Sequence, residues 1–513
     1  MQLIGGLLLA IVLPLAVAGQ ELGNGVPPPV SASAAAPEIL PAHLLALLTD
    51  TVATPTHRLL RWYDVRATRA FYTSRTYAAA WSAGPLPSAT GRTALALLLA
   101  AEDYGLQPAN YHAPALQALA TLLEEPDTTA RHQVRQARFE GLLTDGLLQF
   151  ARHLRRGQLR ECSPSPLESA DSLFEPTAWL ARALAAPDFA PALLRCQPPQ
   201  REYQLLQVAL ARWRQHPAGP DSLARRRRAQ QLALTLERWR WQAIPAADSD
   251  YVLVNLPAYA LEVVRGGQVR QTHRLVIGKP ESPTPTLSSQ LKVFTLSPEW
   301  RVPYSIATKE LLPRLRYSPR YAARHNYAIY DAKGQLVDAH DVDWWEVRPD
   351  RFAYTIRQNP GVGNALGSVI FRFVNPYEVY LHATYEMQDF KRPYRALGHG
   401  CMRLEHPMRL VAYLLGPDSA QAQNHALAGR EKAPQPRRFT LSRPMRLHVR
   451  YATCAVVAGQ LRFYPDVYKR DEELRRQLFG PAPVEVPARR PVRSPGFAPA
   501  EKVLVAKGRA PAP

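Results

Sequence analysis

Tyr251-Val252-Leu253-Val254-Asn255-Leu256, Ala260-Leu261-Glu262-Val263-Val264 and Thr272-His273-Arg274-Leu275-Val276-Ile277-Gly278 decide the architecture of this chain. These short runs are rich in β-branched residues, bounded by glycine and proline, and read as strands. Before them the period is helical: Thr93–Ala101 and Leu142–Arg152 repeat apolar residues three and four apart. After them, strands are expected at Leu291–Leu296, Phe352–Ile356, Val369–Val374, Glu378–Ala383 and Met445–Tyr451. Helices followed by strands argue for separate units, not for one alternating parallel sheet. The fold class is therefore multidomain α+β, an N-terminal all-α domain followed by a β-rich domain. The stretch from Pro298 to Asn359 carries its own helical and aromatic content, including Ile306–Leu315 and Trp344-Trp345, and reads as an inserted capping subdomain.

The 513 residues admit two or three domains. Residues 1–18 read as a signal peptide, an apolar run ending in Ala16-Val17-Ala18 but lacking a positive n-region; a retained anchor is the alternative. Residues 19–40 form a linker, 41–245 the helical domain and 246–455 the β-rich domain, with 298–359 as its cap. Residues 456–479 form a short C-terminal element, and 480–513 a basic, proline-rich tail expected to be disordered. Lysine and arginine outnumber acids 63 to 43, giving a net charge of +20. That balance suits polyanionic surroundings, yet no Arg/Gly/aromatic motif supports nucleic acid. The run Arg225-Arg226-Arg227-Arg228 reads as a solvated helix face or an anionic docking patch. Cys162, Cys196, Cys401 and Cys454 lack metal-knuckle spacing; Cys162 and Cys196 could pair in an oxidising compartment.

Chemistry concentrates in His399-Gly400-Cys401-Met402-Arg403-Leu404, with His382 upstream in Val379-Tyr380-Leu381-His382-Ala383-Thr384. A neighbouring histidine or arginine stabilises a thiolate, the form that attacks carbonyls. On an extended segment His399 and Cys401 would point to one side, with Arg403 able to follow. Two rival chemistries use the same region. His382, His399, Cys401 and His406 offer metal-ligand types, though His-x-Cys is tight for a tetrahedral centre. Ser289-Gln290-Leu291-Lys292 matches Ser-x-x-Lys, but no Ser-Asp-Asn or Lys-Thr-Gly accompanies it.

The His382 and His399-Gly400-Cys401-x-Arg403 arrangement resembles the catalytic motif of the L,D-transpeptidase (YkuD-type) family. Ser297–Pro313, Asn364-Ala365-Leu366-Gly367 and Asn375–His382 resemble the family's large periplasmic branch. Ala70-Phe71-Tyr72 through Trp81 and Tyr104–Tyr111 resemble that branch's scaffold domain. The resemblance implies a β-rich L,D-transpeptidase catalytic domain behind an all-α scaffold domain, with no cofactor and no metal. It implies a thioester on Cys401 formed from peptidoglycan tetrapeptide stems and passed to a second stem as a 3→3 crosslink. His382 would be the general base, oriented by the Ala383 carbonyl. His399 would polarise the site, and the Gly400 and Cys401 backbone would hold the oxyanion. Arg403 would hold a substrate carboxylate or brace the loop, and Asn375, Tyr380 and Trp300 would contact substrate. The implied location is the periplasm or cell envelope, with peptidoglycan stem peptides and other cell-wall synthesis proteins as partners, no nucleic acid, and membrane contact only through a retained N-terminal segment. L,D-carboxypeptidase action, attachment of protein to peptidoglycan, and a non-catalytic wall-binding scaffold remain open alternatives. Two positions depart from the family: Gly398 stands where it prefers Ser or Thr, and Ala383 where it prefers Gly or Asp. The peptidoglycan-binding module often found in relatives is not expected, since the helices run almost directly into the strands.

Overall fold

A computed structural model describes residues 39–49, 62–125, 129–159, 174–215, 222–245, 248–416 and 435–480. The signal peptide, all but the end of the 19–40 linker, Cys162 with its pairing, and residues 481–513 of the tail lie outside the described residues. No helix among the described residues is long and apolar enough to cross a membrane.

The helical unit is organised by Ala130–Arg156, whose flank from Gln136 to Leu154 is almost wholly buried. Shorter helices pack round it, with Phe71, Trp81, Tyr111 and Phe150 fully buried in their shared core. A two-residue hairpin, β1 (Ser82–Ala83) with β2 (Leu86–Pro87), closes one corner. Two carboxylates inside the long helix gather the surrounding loops. Glu140 accepts from Tyr72 Oη at 2.7 Å and from the N–H groups of Ala80 and Trp81 at 2.8 and 2.9 Å. Asp145 accepts from the N–H groups of Tyr63 and Asp64, both at 2.9 Å, and meets His112 Nε2 at 2.8 Å.

Helix Ser222–Trp241 joins the two units, its Leu232, Leu236 and Trp239 packing against strand residues Tyr251, Leu253 and Val264. Arg226, Arg227 and Arg228 of the basic run are exposed, and the Arg228 guanidinium lies 4.4 Å from the Phe463 ring.

The strands that follow are β3 (Asp250–Asn255), β4 (Ala260–Arg265), β5 (Gln268–Gly278) and β6 (Leu287–Leu296). Next come β7 (Trp300–Arg301), β8 (Tyr327–Tyr330), β9 (Leu336–Val337) and β10 (Thr355–Gln358) in the insertion. Then follow β11 (Val369–Arg372), β12 (Leu381–His382), β13 (Ala396–Gly398), β14 (Met402–Leu404) and β15 (Arg437–Arg450). Eight of them close into a barrel in the order β5-β14-β12-β11-β6-β15-β3-β4, with β4 returning to β5. Closure leaves no free sheet edge and fills the interior with alternate residues such as Val252, Leu261, Leu381 and Met402. Strand β13 lies outside the ring, parallel to β5.

The insertion makes its own sheet, β7-β10-β8-β9, over a separate core of Leu311, Leu312, Ile329, Trp344 and Ile356. The described residues finish with the hairpin of β16 (Cys454–Val457) and β17 (Gln460–Phe463), then helix Asp471–Phe479.

Two expected strands are corrected. Phe352 and Tyr354 pack into the insertion's core, so that strand runs over Thr355–Gln358. The run from Glu378 shrinks to Leu381–His382, because Asn375 folds the preceding residues into a turn described below.

Candidate active site

Strands β12 and β14 are parallel neighbours, with Leu381 opposite Met402 and His382 opposite Arg403. The Met402 N–H donates to the Tyr380 carbonyl at 3.0 Å. Side chains alternate along a strand, so Leu381, Met402 and Leu404 enter the barrel core. His382 and Arg403 therefore share the opposite face, while Tyr380, just before β12, sets its ring beside His382 and its hydroxyl against the Cys401 thiol.

The turn that delivers Cys401 is bent, not extended. Gly400 has φ +106°, a left-handed value that glycine adopts without strain. Gly278, at the end of β5, lets the turn approach: a Cβ there would lie 2.9 Å from Gly400 Cα and N. Thr284 fastens the turn from behind, its Oγ1 donating to the Gly400 carbonyl at 2.8 Å and accepting from the Gly278 N–H at 2.9 Å. The bend corrects the expectation that His399 and Cys401 point the same way. Cys401 turns inward beside Tyr380. His399 stays half-exposed and pairs through Nε2 with Glu310 Oε1 of the insertion at 2.8 Å. Neither the Gly400 N–H nor the Cys401 N–H donates to any acceptor among the described residues.

His382 is buried, and its Nδ1 lies 2.7 Å from the Ala383 carbonyl. A carbonyl only accepts, so Nδ1 carries the proton and the neutral ring keeps its lone pair on Nε2. Burial, helped by the Arg403 charge, pushes the imidazole pKa down to about 4, against the carbonyls of Ala383 and Ala365, which favour the charged ring. Burial raises the Cys401 thiol; the backbone and hydroxyl of Tyr380 and the charge of Arg372 pull the other way. Both groups thus rest neutral near pH 7, correcting the picture of a ready-made thiolate. No hydrogen bond joins Cys401 to His382 among the described residues. Tyr380 neighbours both, its ring centroid 5.6 Å from that of His382 and its hydroxyl against the Cys401 thiol.

Arg403 is already engaged, its Nη1 meeting Glu386 and, at 3.2 Å, Asp389. Its charge is committed to those acids, which fits a brace better than a substrate carboxylate clamp. Asn375, expected to contact substrate, is saturated within its own turn. Nδ2 donates to the Phe373 and Val379 carbonyls at 2.9 and 2.8 Å, and Oδ1 accepts from the N–H groups of Tyr377 and Val379. Asn364 is similarly spent, donating to the carbonyls of Pro298, Gln358 and Asn359 where the insertion leaves the barrel.

The rival chemistries fit less well. Ser289 and Lys292 lie three apart on β6 and so face opposite sides, and Ser289 Oγ donates to the Val374 carbonyl at 2.7 Å. No group of three or more histidine, cysteine or acidic side chains among the described residues is arranged to hold a metal.

Beside the turn opens a pocket of about 500 Å³, lined by Ser282, Pro283, Tyr377, Val379, His399, Gly400 and Arg470 among others. Thr284, Glu310, Arg372, Tyr468 and Arg470 were not legible as site residues. Thr284, Tyr468 and Arg470 come from segments remote from the His-Gly-Cys run, and Glu310 and Arg372, though inside quoted stretches, carry no signal of facing the site.

The chain thus sets a closed barrel, with His382 on one strand and Cys401 just before its parallel neighbour, behind a helical unit. Residues 249–424 match the L,D-transpeptidase catalytic domain family, YkuD, and residues 66–210 match the Scaffold domain family. A putative L,D-transpeptidase of Haemophilus influenzae is 31% identical over 247 residues, covering 48% of this chain and 49% of the relative. The chain thus spans about half the length of that curated relative. Among solved structures, an L,D-transpeptidase from Mycobacterium smegmatis is similar at 12% identity and a TM-score of 0.17, over 39% of this chain and 58% of that one. L,D-transpeptidase 1 of Mycobacterium tuberculosis is similar at 15% identity and a TM-score of 0.15, over 39% of this chain and 61% of that one.

Proposed function

We propose that the protein is an envelope enzyme that forms 3→3 peptidoglycan crosslinks through a thioester on Cys401. The observation that carries the reading is the clustering of Tyr380 with His382 and Cys401 beside two N–H groups that have no acceptor among the described residues. The sequence family supports the same chemistry.

The donor is a tetrapeptide stem whose third peptide carbonyl lies against the Cys401 sulfur. His382 Nε2 takes the thiol proton as the Sγ–C bond forms, and the Gly400 and Cys401 N–H groups receive the carbonyl oxygen as it becomes an oxyanion. Burial disfavours a standing charge pair, so deprotonation belongs to the attack itself. Collapse of the tetrahedral intermediate breaks the C–N bond, and the imidazolium returns its proton to the departing D-alanine amine. The side-chain amine of a second stem then attacks the thioester carbonyl and loses a proton to His382. The C–S bond breaks, and the imidazolium reprotonates the leaving sulfur. Arg403, held by Glu386 and Asp389, braces the loop after His382, while Trp300 and Tyr380 form the apolar wall against which the donor lies.

Mass spectrometry of purified tetrapeptide muropeptides incubated with the protein tests this reading. Expected are a crosslinked dimer one D-alanine lighter than two donors and an intact-protein adduct on Cys401, both lost in Cys401→Ala. Tripeptides without dimers would mean that water is the acceptor. Unchanged tetrapeptides, or full activity in Cys401→Ala, would overturn cysteine catalysis.

A further inference from the structure

The pocket beside the catalytic turn holds a cation that the mechanism above does not use. Arg470 lines it together with Gly400 and His399. Among the described residues the Arg470 guanidinium has no ion pair and no hydrogen-bond acceptor; its contacts are ring faces, 5.0 Å from the Tyr451 centroid and 5.5 Å from that of Tyr468. Arg403 and Arg274 nearby are matched by acids, Arg403 with Glu386 and Asp389 and Arg274 with Glu405, whereas Arg372 lies over the Tyr380 ring at 5.5 Å and outside this pocket. No acidic residue lines this pocket. The acids close to it in sequence are taken: Asp471 pairs with Arg238, Glu472 with Arg475 and Glu473 with Arg476, while Asp466 is occupied by the Tyr451 hydroxyl and by the N–H groups of Arg470 and Asp471.

Arg470 is also held in place. Its carbonyl accepts from Arg238 of the joining helix at 2.9 Å, and its N–H donates to Asp466 at 2.9 Å. The Tyr468 ring beneath it donates its hydroxyl to the Gly278 carbonyl at 2.7 Å and accepts from the Thr284 N–H at 3.1 Å. Thr284 in turn grips the Gly400 carbonyl. A short rigid chain therefore ties the guanidinium's platform to the turn that carries the nucleophile.

We propose that Arg470 and this pocket form a carboxylate-binding subsite that positions a peptide substrate next to Cys401. A guanidinium presents a planar fork that a carboxylate matches with two parallel hydrogen bonds, and stacking on two rings fixes the fork before the ligand arrives. The volume suits one or two amino-acid residues, and the Ser282, Thr286 and Tyr377 hydroxyls supply its remaining polarity. The inference rests on the peptidoglycan reading for the identity of the peptide, whose free carboxylates are those of the terminal D-alanine and of the other stem residues. Arg470 is here a positioning residue; it takes no part in the proton transfers.

The test measures binding, so it does not depend on turnover. A synthetic tetrapeptide stem is titrated into full-length Cys401→Ala protein and into the same protein also carrying Arg470→Gln or Arg470→Lys. Loss of a charge-assisted pair should weaken binding by roughly tenfold in the glutamine variant, less in the lysine variant. Two amidated peptides, one blocked at the terminal D-alanine and one at the other carboxylates, separate the sources. The analogue lacking the recognised carboxylate should bind about as weakly to the parent as the free peptide does to Arg470→Gln, and should lose nothing further in that variant. Equal affinities in parent and Arg470→Gln, an equal loss for all three peptides, or no binding to the parent would overturn the subsite. Normal crosslinking by wild-type protein with unaltered kinetics in Arg470→Gln would remove the subsite alone; absent crosslinking with carboxylate-dependent binding would remove the reaction alone.

Discussion

The long helix of the scaffold and the turn after Gly398 treat buried polar groups in opposite ways. Asp145 and Glu140 are fully buried and gather main-chain N–H groups and side-chain donors until little of their accepting capacity is left. At the turn, the Gly400 and Cys401 N–H groups have no acceptor among the described residues, and the nearby Arg470 guanidinium has only ring faces among them. Unsatisfied buried polar groups cost free energy, so native proteins keep few of them. A chain that saturates its carboxylates in one unit and leaves donors open in the other separates structural polarity from polarity reserved for a ligand.

The sharpest way to break that distinction is to remove one polar group from each side. Cys401→Ser should lower acyl transfer by about three orders of magnitude or more, since the nucleophile itself is lost. Its melting temperature should match wild type, because the sulfur ties no structure together. Glu140→Ala should behave in reverse. It strands the Tyr72 hydroxyl and two N–H groups, at roughly 1–3 kcal/mol each, so the free energy of unfolding measured in denaturant should fall by several kcal/mol. Acyl transfer per folded molecule should be unchanged. Comparable stability losses in the two variants would erase the contrast drawn here.

Acid exposes a property the two units share. Burial lowers the pKa of His382 to about 4 and that of His153, in the scaffold, to about 3. The unfolded chain takes up these protons near pH 6.5 and the folded chain declines them, so stability is greatest above pH 6.5 and falls as pH drops toward 4. For His382 the loss across that window is on the order of 3 kcal/mol, and His382→Asn should flatten that part of the stability curve. Activity reports the same group: a neutral imidazole base gives kcat/KM an acid limb centred near pH 4, falling about tenfold per unit below it. An acid limb near 6.5 would mean that His382 is not the base or is not buried in the working enzyme.

Much of this was legible from local pattern. Tyr251–Gly278 was readable as strands from its β-branched runs, and Leu142–Arg152 as a helix from its apolar spacing. The alternation that puts His382 and Arg403 on one face follows from strand period once β12 and β14 are paired. That pairing was not legible, because it joins segments through a closed ring whose order no local signal encodes. His399 was misdirected for a local reason, the left-handed Gly400, which turns an apparent two-residue repeat into a bend. Asn375 was misread because an amide that closes its own turn looks, in sequence, like one offered to a substrate. Arg470 and Glu310 were invisible because each reaches the site from an element defined only by the tertiary fold.

Glu310 gives the smallest and most conditional effect. It lies in the π-type turn Ala307–Leu311, a widened turn of a kind found often at functional sites, and meets His399 across the seam between insertion and barrel. Both side chains are 40–45% exposed, at 41% and 45%, so the pair is worth about 1 kcal/mol at most and is screened by salt. Glu310→Gln should therefore leave stability unchanged and raise KM for peptide donors by no more than about fivefold at low ionic strength. The difference should vanish at high salt, where wild type and variant converge. If the variant instead loses kcat at every salt concentration, the pair orders the reacting groups themselves, and the seam belongs with the reserved polarity of the turn. A null result at low salt would assign it to ordinary surface charge, leaving the insertion to be held over the barrel by Asn364 and the packing of its own core.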